Sequence, residues 1–382
     1  MSLVVAVVLV AHGVAHLVGF VVPWRLMTLP EMPYKTTLFA GRLDVGPDGI
    51  RVVGLLWMLA AVAFILAAIA WAVRQPWAEA LTAGAALASL ILCIAGWPDT
   101  RIGVVVNVLL LAATPLLGGL AWRTTSEHVR RALTPGSPAP QAFRADALAG
   151  APEPVVRYFT HVLRDRQPLI VAADLEQDAQ FFVGGGWKPL TASQRFTVDP
   201  PAFLWDARIA MAPGIPVFVR DSYVDGAGSM RGELVGVYPI VNQSGRKELD
   251  AAALHRYLAE AVWLPTALLP SARLRWSPVD RNAALATLVD RHTTVSLRFT
   301  FDEAGDVVEL FAPDRLKEEN GRFEPRPWTV RCTEHAEFDG VRIPVVCSVE
   351  WQMPEGPLPY WRGRITLARY TYAANAAPGT AR

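Results

Sequence analysis

Residues 249–276, LDAAALHRYLAEAVWLPTALLPSARLRW, decide how the second half of this chain folds. Leu254, Tyr257, Leu258, Ala261 and Val262 recur at helical spacing, which predicts one amphipathic helix with an apolar face. Asp250 is placed to cap its start by accepting from backbone N–H groups that lack helical partners. Pro265 and Pro270 interrupt regular helix, so Trp263–Leu269 is expected as an apolar bend. Nearly everything on either side of this stretch reads as β-strand. A lone helix in such company needs a sheet to cover, and the expectation is a lid or plug on a curved sheet.

The strands around it announce themselves by a period of two. Val295, Leu297, Phe299 and Phe301 alternate with Thr294, Ser296, Arg298 and Thr300, and DEAG at 302–305 turns the chain into Val307–Phe311. Phe203–Ala210, Val217–Val224, Glu233–Ile240 and Ile365–Tyr372 are further strands, for about eight to eleven in all beside two helices. One hairpin can be registered residue by residue. With Asp339-Gly340 as its turn, Cys332 lies opposite Cys347, Val330 opposite Val349 and Trp328 opposite Trp351. The facing cysteines are placed either to form a disulfide, which would put the domain outside the cytoplasm, or to stay as two buried thiols.

Before residue 123 the chain changes character. Leu3–Val22, Val52–Val73, Ala78–Trp97 and Ile102–Trp122 are apolar runs of the roughly 20 residues needed to cross a bilayer. Trp24, Trp77, Trp97 and Trp122 stand at their ends, where amphipathic rings favour the headgroup layer. The first run lacks a basic leader and a small-residue cleavage site, so it reads as a retained helix. The expected organisation is a four-helix transmembrane domain at 1–122, a Pro/Ala/Gly-rich linker at 123–153, a β domain at 154–376 opened by a short helix at Pro154–Arg164, and a disordered tail at 377–382. Four spans place the N-terminus and the β domain on the same side of the plasma membrane. Arg25, Lys35, Arg42 and Arg51 in the first loop oppose Arg123, Arg130 and Arg131 after the last span, so basic residues leave the side open. The Cys332–Cys347 pair tilts it towards the extracytoplasmic side.

His12 and His16, in AHGVAHLVGF, share one face of the first span, where two imidazoles could serve a haem, a metal or a proton. Hydrogen bonding to neighbouring helices, or a place near the interface, is the reading the sequence favours, since the other spans offer only Asn107 and Cys93 as further ligands. A net charge of +1 with no basic block gives nucleic-acid binding no support. None of the three cysteines lies in a CxxC, Gly228-Ser229-Met230-Arg231-Gly232 is not a nucleophile elbow, and Gly184-Gly185-Gly186-Trp187-Lys188-Pro189 is not a P-loop. No hydrolase, nucleotide-binding or metalloprotease motif supports an enzyme.

The segments RYFTHVL (157–163), PPAFLWDA (200–207), HRYLAEAVWLPTALLP (255–270), DGVRIP (339–344) and YWRG (360–363) resemble an uncharacterised prokaryotic family, a domain of unknown function often preceded by membrane helices. The resemblance covers about 154–372 and extends to the helices, including the HGxxH of the first; it brings no activity and no catalytic residue. One helix over a strongly curved antiparallel sheet is a lipoprotein-carrier-like architecture.

The expected fold class is therefore an α-helical membrane domain of four spans plus an α+β soluble domain. The β domain is rich in tryptophan, and Tyr257, Trp263, Leu268, Trp276, Trp205 and Trp351 are the expected lining of a pocket for a lipid or other apolar ligand. Arg256 and Glu260 read as a solvated i, i+4 pair, and His255 and His292 as structural. The alternatives are a membrane redox or metal-handling protein working through His12 and His16, and a scaffold that binds another protein.

Overall fold

The computed structural model describes residues 2–30, 32–73, 75, 77–136 and 142–373, so the expected tail at 377–382 and the middle of the linker lie outside the described residues. The chain divides into two compact units.

In the first, α1 (Ser2–His16) and the short α2 (Val18–Val21) lead to a two-residue hairpin of β1 (Thr37–Leu38) and β2 (Leu43–Asp44). Helices α3 (Gly46–Ala72), α4 (Ala78–Ala95) and α5 (Arg101–Ala132) follow. Four helical segments, Leu3–Val21 and these three, are long and apolar enough to cross a membrane, consistent with a membrane-associated protein. Leu9, Phe64, Ala67, Ala68, Ala85 and Ala86 form their packed centre, where small residues let α1, α3 and α4 approach closely. Helix α5 continues beyond Trp122, where the tether was expected to begin, because no proline intervenes before Pro135.

The second unit is a curled antiparallel sheet of 13 strands, more than the sequence suggested. A short helix, α6 (Glu153–Val162), precedes β3 (Ile170–Val183), β4 (Gly186–Thr197), β5 (Ala202–Ala212), β6 (Ile215–Val224), β7 (Ala227–Leu234) and β8 (Tyr238–Ser244). After α7 (Lys247–Glu260) come β9 (Leu274–Pro278), β10 (Ala283–Asp290), β11 (Thr293–Phe301), β12 (Val307–Glu319), β13 (Arg322–Phe338), β14 (Val341–Met353) and β15 (Gly356–Tyr372). The order across the sheet is β8-β7-β6-β5-β4-β3-β15-β14-β13-β12-β11-β10-β9. Two meanders therefore grow outwards from a central pair made by the first and last long strands. Strands β8 and β9 end on opposite edges, so the chain between them must cross the whole sheet. That crossing is α7 and its continuation, and this topology is why the domain has a helix over its concave face.

The expected register holds: Trp328 faces Trp351, Val330 faces Val349 and Cys332 faces Cys347. In β11, Val295, Leu297, Phe299 and Phe301 are buried as the alternation predicts. Asp302 then accepts the backbone N–H of Gly305 and Asp306, at 2.8 Å each. Gly305 takes φ +104° there, and a side chain would strike the Arg157 carbonyl of α6. The long hairpin β3–β4 was not foreseen, because its concave face carries Gln177 and Gln194 where a clear alternation would show apolar side chains.

The 249–276 stretch departs from expectation in two respects. The helix starts at Lys247, so Asp250 sits in its first turn and instead accepts the Gly228 N–H of β7 at 2.7 Å. Leu249, Ala252, Ala253, Leu254, His255, Tyr257, Leu258 and Ala259 are all buried, so the helix is enclosed on most of its circumference. The bend forms as two 3-10 turns, Ala261–Trp263 and Pro265–Leu268. Three side-chain bonds anchor this end: Trp263 Nε1 donates to the Pro344 carbonyl, Thr266 Oγ1 to Ile170, and Tyr257 Oη to Thr197, at 3.0, 2.6 and 2.9 Å.

Candidate functional site

Among the described residues, one polar circuit in the helical unit and two clusters around largely buried arginines in the β domain frame the chemistry of this chain. In the helical unit, His16 donates from Nδ1 to the His12 carbonyl at 2.7 Å, which leaves Nε2 to accept the Ser89 hydroxyl. Ser89 accepts from Asn107 Nδ2 at 2.7 Å, and Asn107 Oδ1 faces His12 Nε2 at 3.2 Å. Asn107 Nδ2 also donates to the Gly103 carbonyl at 2.8 Å and points at Cys93 Sγ, 3.5 Å away. The structure thus brings His12, His16, Asn107 and Cys93 together, with Ser89 as a member that the sequence did not reveal. These hydrogen bonds tie α1, α4 and α5 to one another.

On one wing of the β domain, a hydrogen-bonded chain runs under α7. Trp205 Nε1 donates to Gln177 Oε1 at 2.9 Å, Gln177 Nε2 to Gln194 Oε1 at 2.9 Å, and Gln194 Nε2 to Glu260 Oε2 at 2.7 Å. Arg256 then bonds Glu260 through Nε at 2.9 Å and Asp221 through Nη1 at 2.6 Å, with its guanidinium over the Trp205 and Phe203 rings. Arg256 and Glu260 are therefore not a solvated pair. The chain crosses the concave face here, so their side of the helix meets Gln194 and Asp221 instead of water. Burial raises the Glu260 carboxyl from its ordinary range, and the facing Arg256 only partly offsets this. For Arg256, burial works against the charge, but Glu260 and Asp221 outweigh it and hold the guanidinium protonated.

On the other wing, an aromatic row crosses five neighbouring strands. Phe181 of β3 meets Tyr360 of β15 edge-on at 6.0 Å, Tyr360 stacks on Trp351 of β14 at 6.1 Å, and Trp351 meets Trp328 of β13 at 6.4 Å. The row ends at Arg315 of β12, whose guanidinium lies 4.3 Å from the Trp328 centroid and 5.1 Å from that of Trp351. Trp328, Trp351 and Arg315 are buried, while Phe181 and Tyr360 are only partly covered. Arg315 donates weakly to Tyr360 Oη at 3.4 Å and to the Ala252 carbonyl of α7 at 3.3 Å. One turn along α7, His255 donates from Nε2 to the Ser296 carbonyl at 3.1 Å. Burial, with the Arg315 charge second, pushes the His255 pKa down to about 4.

Of the residues expected to line a pocket, Tyr257, Trp263, Leu268 and Trp205 are packed into the main core, and Trp276 donates to the Leu268 carbonyl at 2.8 Å against Phe299. Trp351, a member of the same core, is the one of them that belongs to the aromatic row. Cys332 and Cys347 are buried thiols with sulfurs 3.0 Å apart; their mutual hydrogen bond and burial push the Cys347 thiol up. His292 is exposed. The sequence also gave no sign of Asp306, which accepts both Arg342 Nε and Nη2 at 2.8 and 2.6 Å beside His161. Among the described residues, no group of three His, Cys, Asp or Glu side chains is placed to hold a metal.

Residues 141–363 match the model of a family of unknown function, DUF6544. No curated protein matches the chain. Solved structures similar to it include a domain described as an outer-membrane lipoprotein-sorting protein from Vibrio parahaemolyticus, 7% identical, TM-score 0.30, covering 52% of this chain and 85% of that one. A DUF1329 protein from Desulfovibrio piger is 10% identical, TM-score 0.33, over 57% and 90% of the two chains. A β-barrel-like DUF1849 protein from Brucella abortus is 9% identical, TM-score 0.20, over 53% and 99%.

Proposed function

The chain belongs to the DUF6544 family of unknown function, and from that premise we propose that its β domain binds a lipid or other apolar ligand beside the bilayer. The observation that carries this reading is the aromatic row Phe181–Tyr360–Trp351–Trp328, which spans adjacent strands and stays partly uncovered at its β3 and β15 end. Strands lie about 4.8 Å apart, so the row from β3 to β12 is roughly 19 Å long and suits an acyl or isoprenoid chain laid across the strands. Helix α7 would close over that chain, and four apolar helices in the same polypeptide would keep the domain within reach of lipid.

The same reading puts the β domain on the extracytoplasmic side of the plasma membrane if the Cys332 and Cys347 thiols, 3.0 Å apart, become bonded in the cell, which mass mapping of the pair under non-reducing conditions tests. It also takes the His255–Pro270 crossing and the four preceding helices as recurring parts of the family, which an alignment of its members tests. The direct experiment is extraction of the full chain in a lipid belt without detergent, followed by native mass spectrometry. A stoichiometric apolar molecule retained by the wild type and lost in Trp351→Asp supports the proposal. A folded protein that carries none counts against it and favours a protein-binding scaffold whose concave face is filled by its own side chains.

A further inference from the structure

Arg315 is 9% exposed and, among the described residues, forms no ion pair with a carboxylate. Its two hydrogen bonds are long and go to neutral oxygens, and its Nε has no partner. The faces of Trp328 and Trp351 attract the cation, but cation–π contacts recover only part of what a guanidinium loses on leaving water. A second buried atom nearby is also unanswered. His255 uses Nε2 on Ser296, so Nδ1 carries a lone pair with no donor facing it. Both meet at the same stretch of α7: Arg315, from β12, reaches the Ala252 carbonyl, and His255 follows one turn later.

We propose that Arg315 is the anchor for the anionic oxygen head group, carboxylate or phosphate, of an amphiphile whose apolar chain lies along the aromatic row. This rests on the apolar-ligand reading and adds the charge of the ligand to it. The guanidinium offers Nε and Nη donors in the planar fork that suits a two-oxygen anion. His255 Nδ1 accepts a hydroxyl of the same head group, such as the P–OH of a phosphate monoester. The anion would replace the missing counter-charge, so binding and folding would favour each other.

The test measures binding of octanoate, octyl phosphate, octanol and inorganic phosphate to the full chain in lipid discs, with protein-free discs as the blank. Octyl phosphate or octanoate should bind about tenfold or more tightly than octanol. Arg315→Met should bring the anions to parity with octanol while the unliganded variant unfolds within a few degrees of the unliganded wild type. Arg315→Lys keeps the charge without the fork, and should retain a reduced preference for anions even if Arg315→Met fails to fold. Octanol binding as tightly as the anions in the wild type would overturn the anchor and leave the apolar-ligand reading standing. Inorganic phosphate binding as tightly as octyl phosphate would keep the anion at Arg315 and remove the apolar chain. No binding of any probe would overturn both.

Discussion

Two guanidiniums are held beneath the same helix, one on each wing of the sheet, and they are treated in opposite ways. Arg256 has Glu260 and Asp221 in contact, two aromatic faces beside it, and a chain of amides that satisfies what remains of the carboxylate. Arg315 has two aromatic faces and, among the described residues, no carboxylate in contact. The first arrangement is complete without anything from outside. It fixes α7 to β6 and, through Gln194, to β4. The second is one charge short. The difference separates a structural ion cluster from a place where a ligand can contribute, although burial and aromatic contact look much the same at both.

Replacing each arginine in turn is the sharpest way to break this comparison. Arg256→Met strands two buried carboxylates and should cost about 3–5 kcal/mol in denaturant unfolding. A cost below about 1 kcal/mol would mean that Asp221 and Glu260 are solvated after all, and the contrast between the wings would fail.

The next effect is a pH dependence confined to the Arg315 wing. The folded pKa of His255 lies near 4 against 6.5 for the free side chain, so the fold favours the neutral ring. Above pH 6.5 both states are neutral and the contribution is fully present. As pH falls towards 4 the unfolded chain takes up the proton first, and up to about 3 kcal/mol is lost. His255→Leu should flatten the unfolding free energy between pH 4 and 6.5 relative to wild type, whatever the other groups contribute. An unchanged slope would show that the ring is not held neutral by Arg315 and burial.

How much of this contrast was legible in the sequence depends on the residue. The crossing helix, the strand alternation at 294–301 and the Cys332–Cys347 register all follow from local periodicity and turn chemistry, and the structure contains each of them. Gln177 carries a faint signal, because it occupies the inward position between Leu175 and Ala179 on β3. Arg315 carries none. Counting by twos from Leu310 and Ala312 sends it outward, but the pairing of β12 with β13 shifts between Ala312 and Arg315. That irregularity turns the guanidinium back beneath α7. Arg256 and Glu260 read as solvated in the sequence for a different reason: i, i+4 spacing says that two side chains meet, not what covers them. Helix α1 shows the same limit, since His12 and His16 named the face but Ser89, one hydroxyl among many, completes the circuit.

A smaller effect tests whether the aromatic row is a wall in its own right. Trp328 Nε1 donates to Tyr360 Oη at 3.0 Å, and the same hydroxyl is the distant partner of Arg315. Tyr360→Phe keeps the ring in the row and removes that acceptor, so it should cost about 1 kcal/mol through the indole left unpaired. A much larger loss would mean that the phenol is what holds Arg315 in place, and the guanidinium would then be part of the structure on this wing too.

The smallest expected change is the most discriminating one. Arg315→Met exchanges a buried, acid-free guanidinium for an apolar side chain of similar length that can pack against Trp328 and Trp351. It removes the desolvation cost together with the cation–π attraction, so in the unliganded protein the net change should stay within about 1 kcal/mol of zero. The measurement is the unfolding free energy of wild type and variant before and after exhaustive removal of bound lipid. If delipidation lowers the wild type towards the variant, the missing counter-charge travels with the ligand. If the variant is less stable by several kcal/mol in both states, Arg315 is held by the protein alone, and the two wings differ only in how they solve the same structural problem.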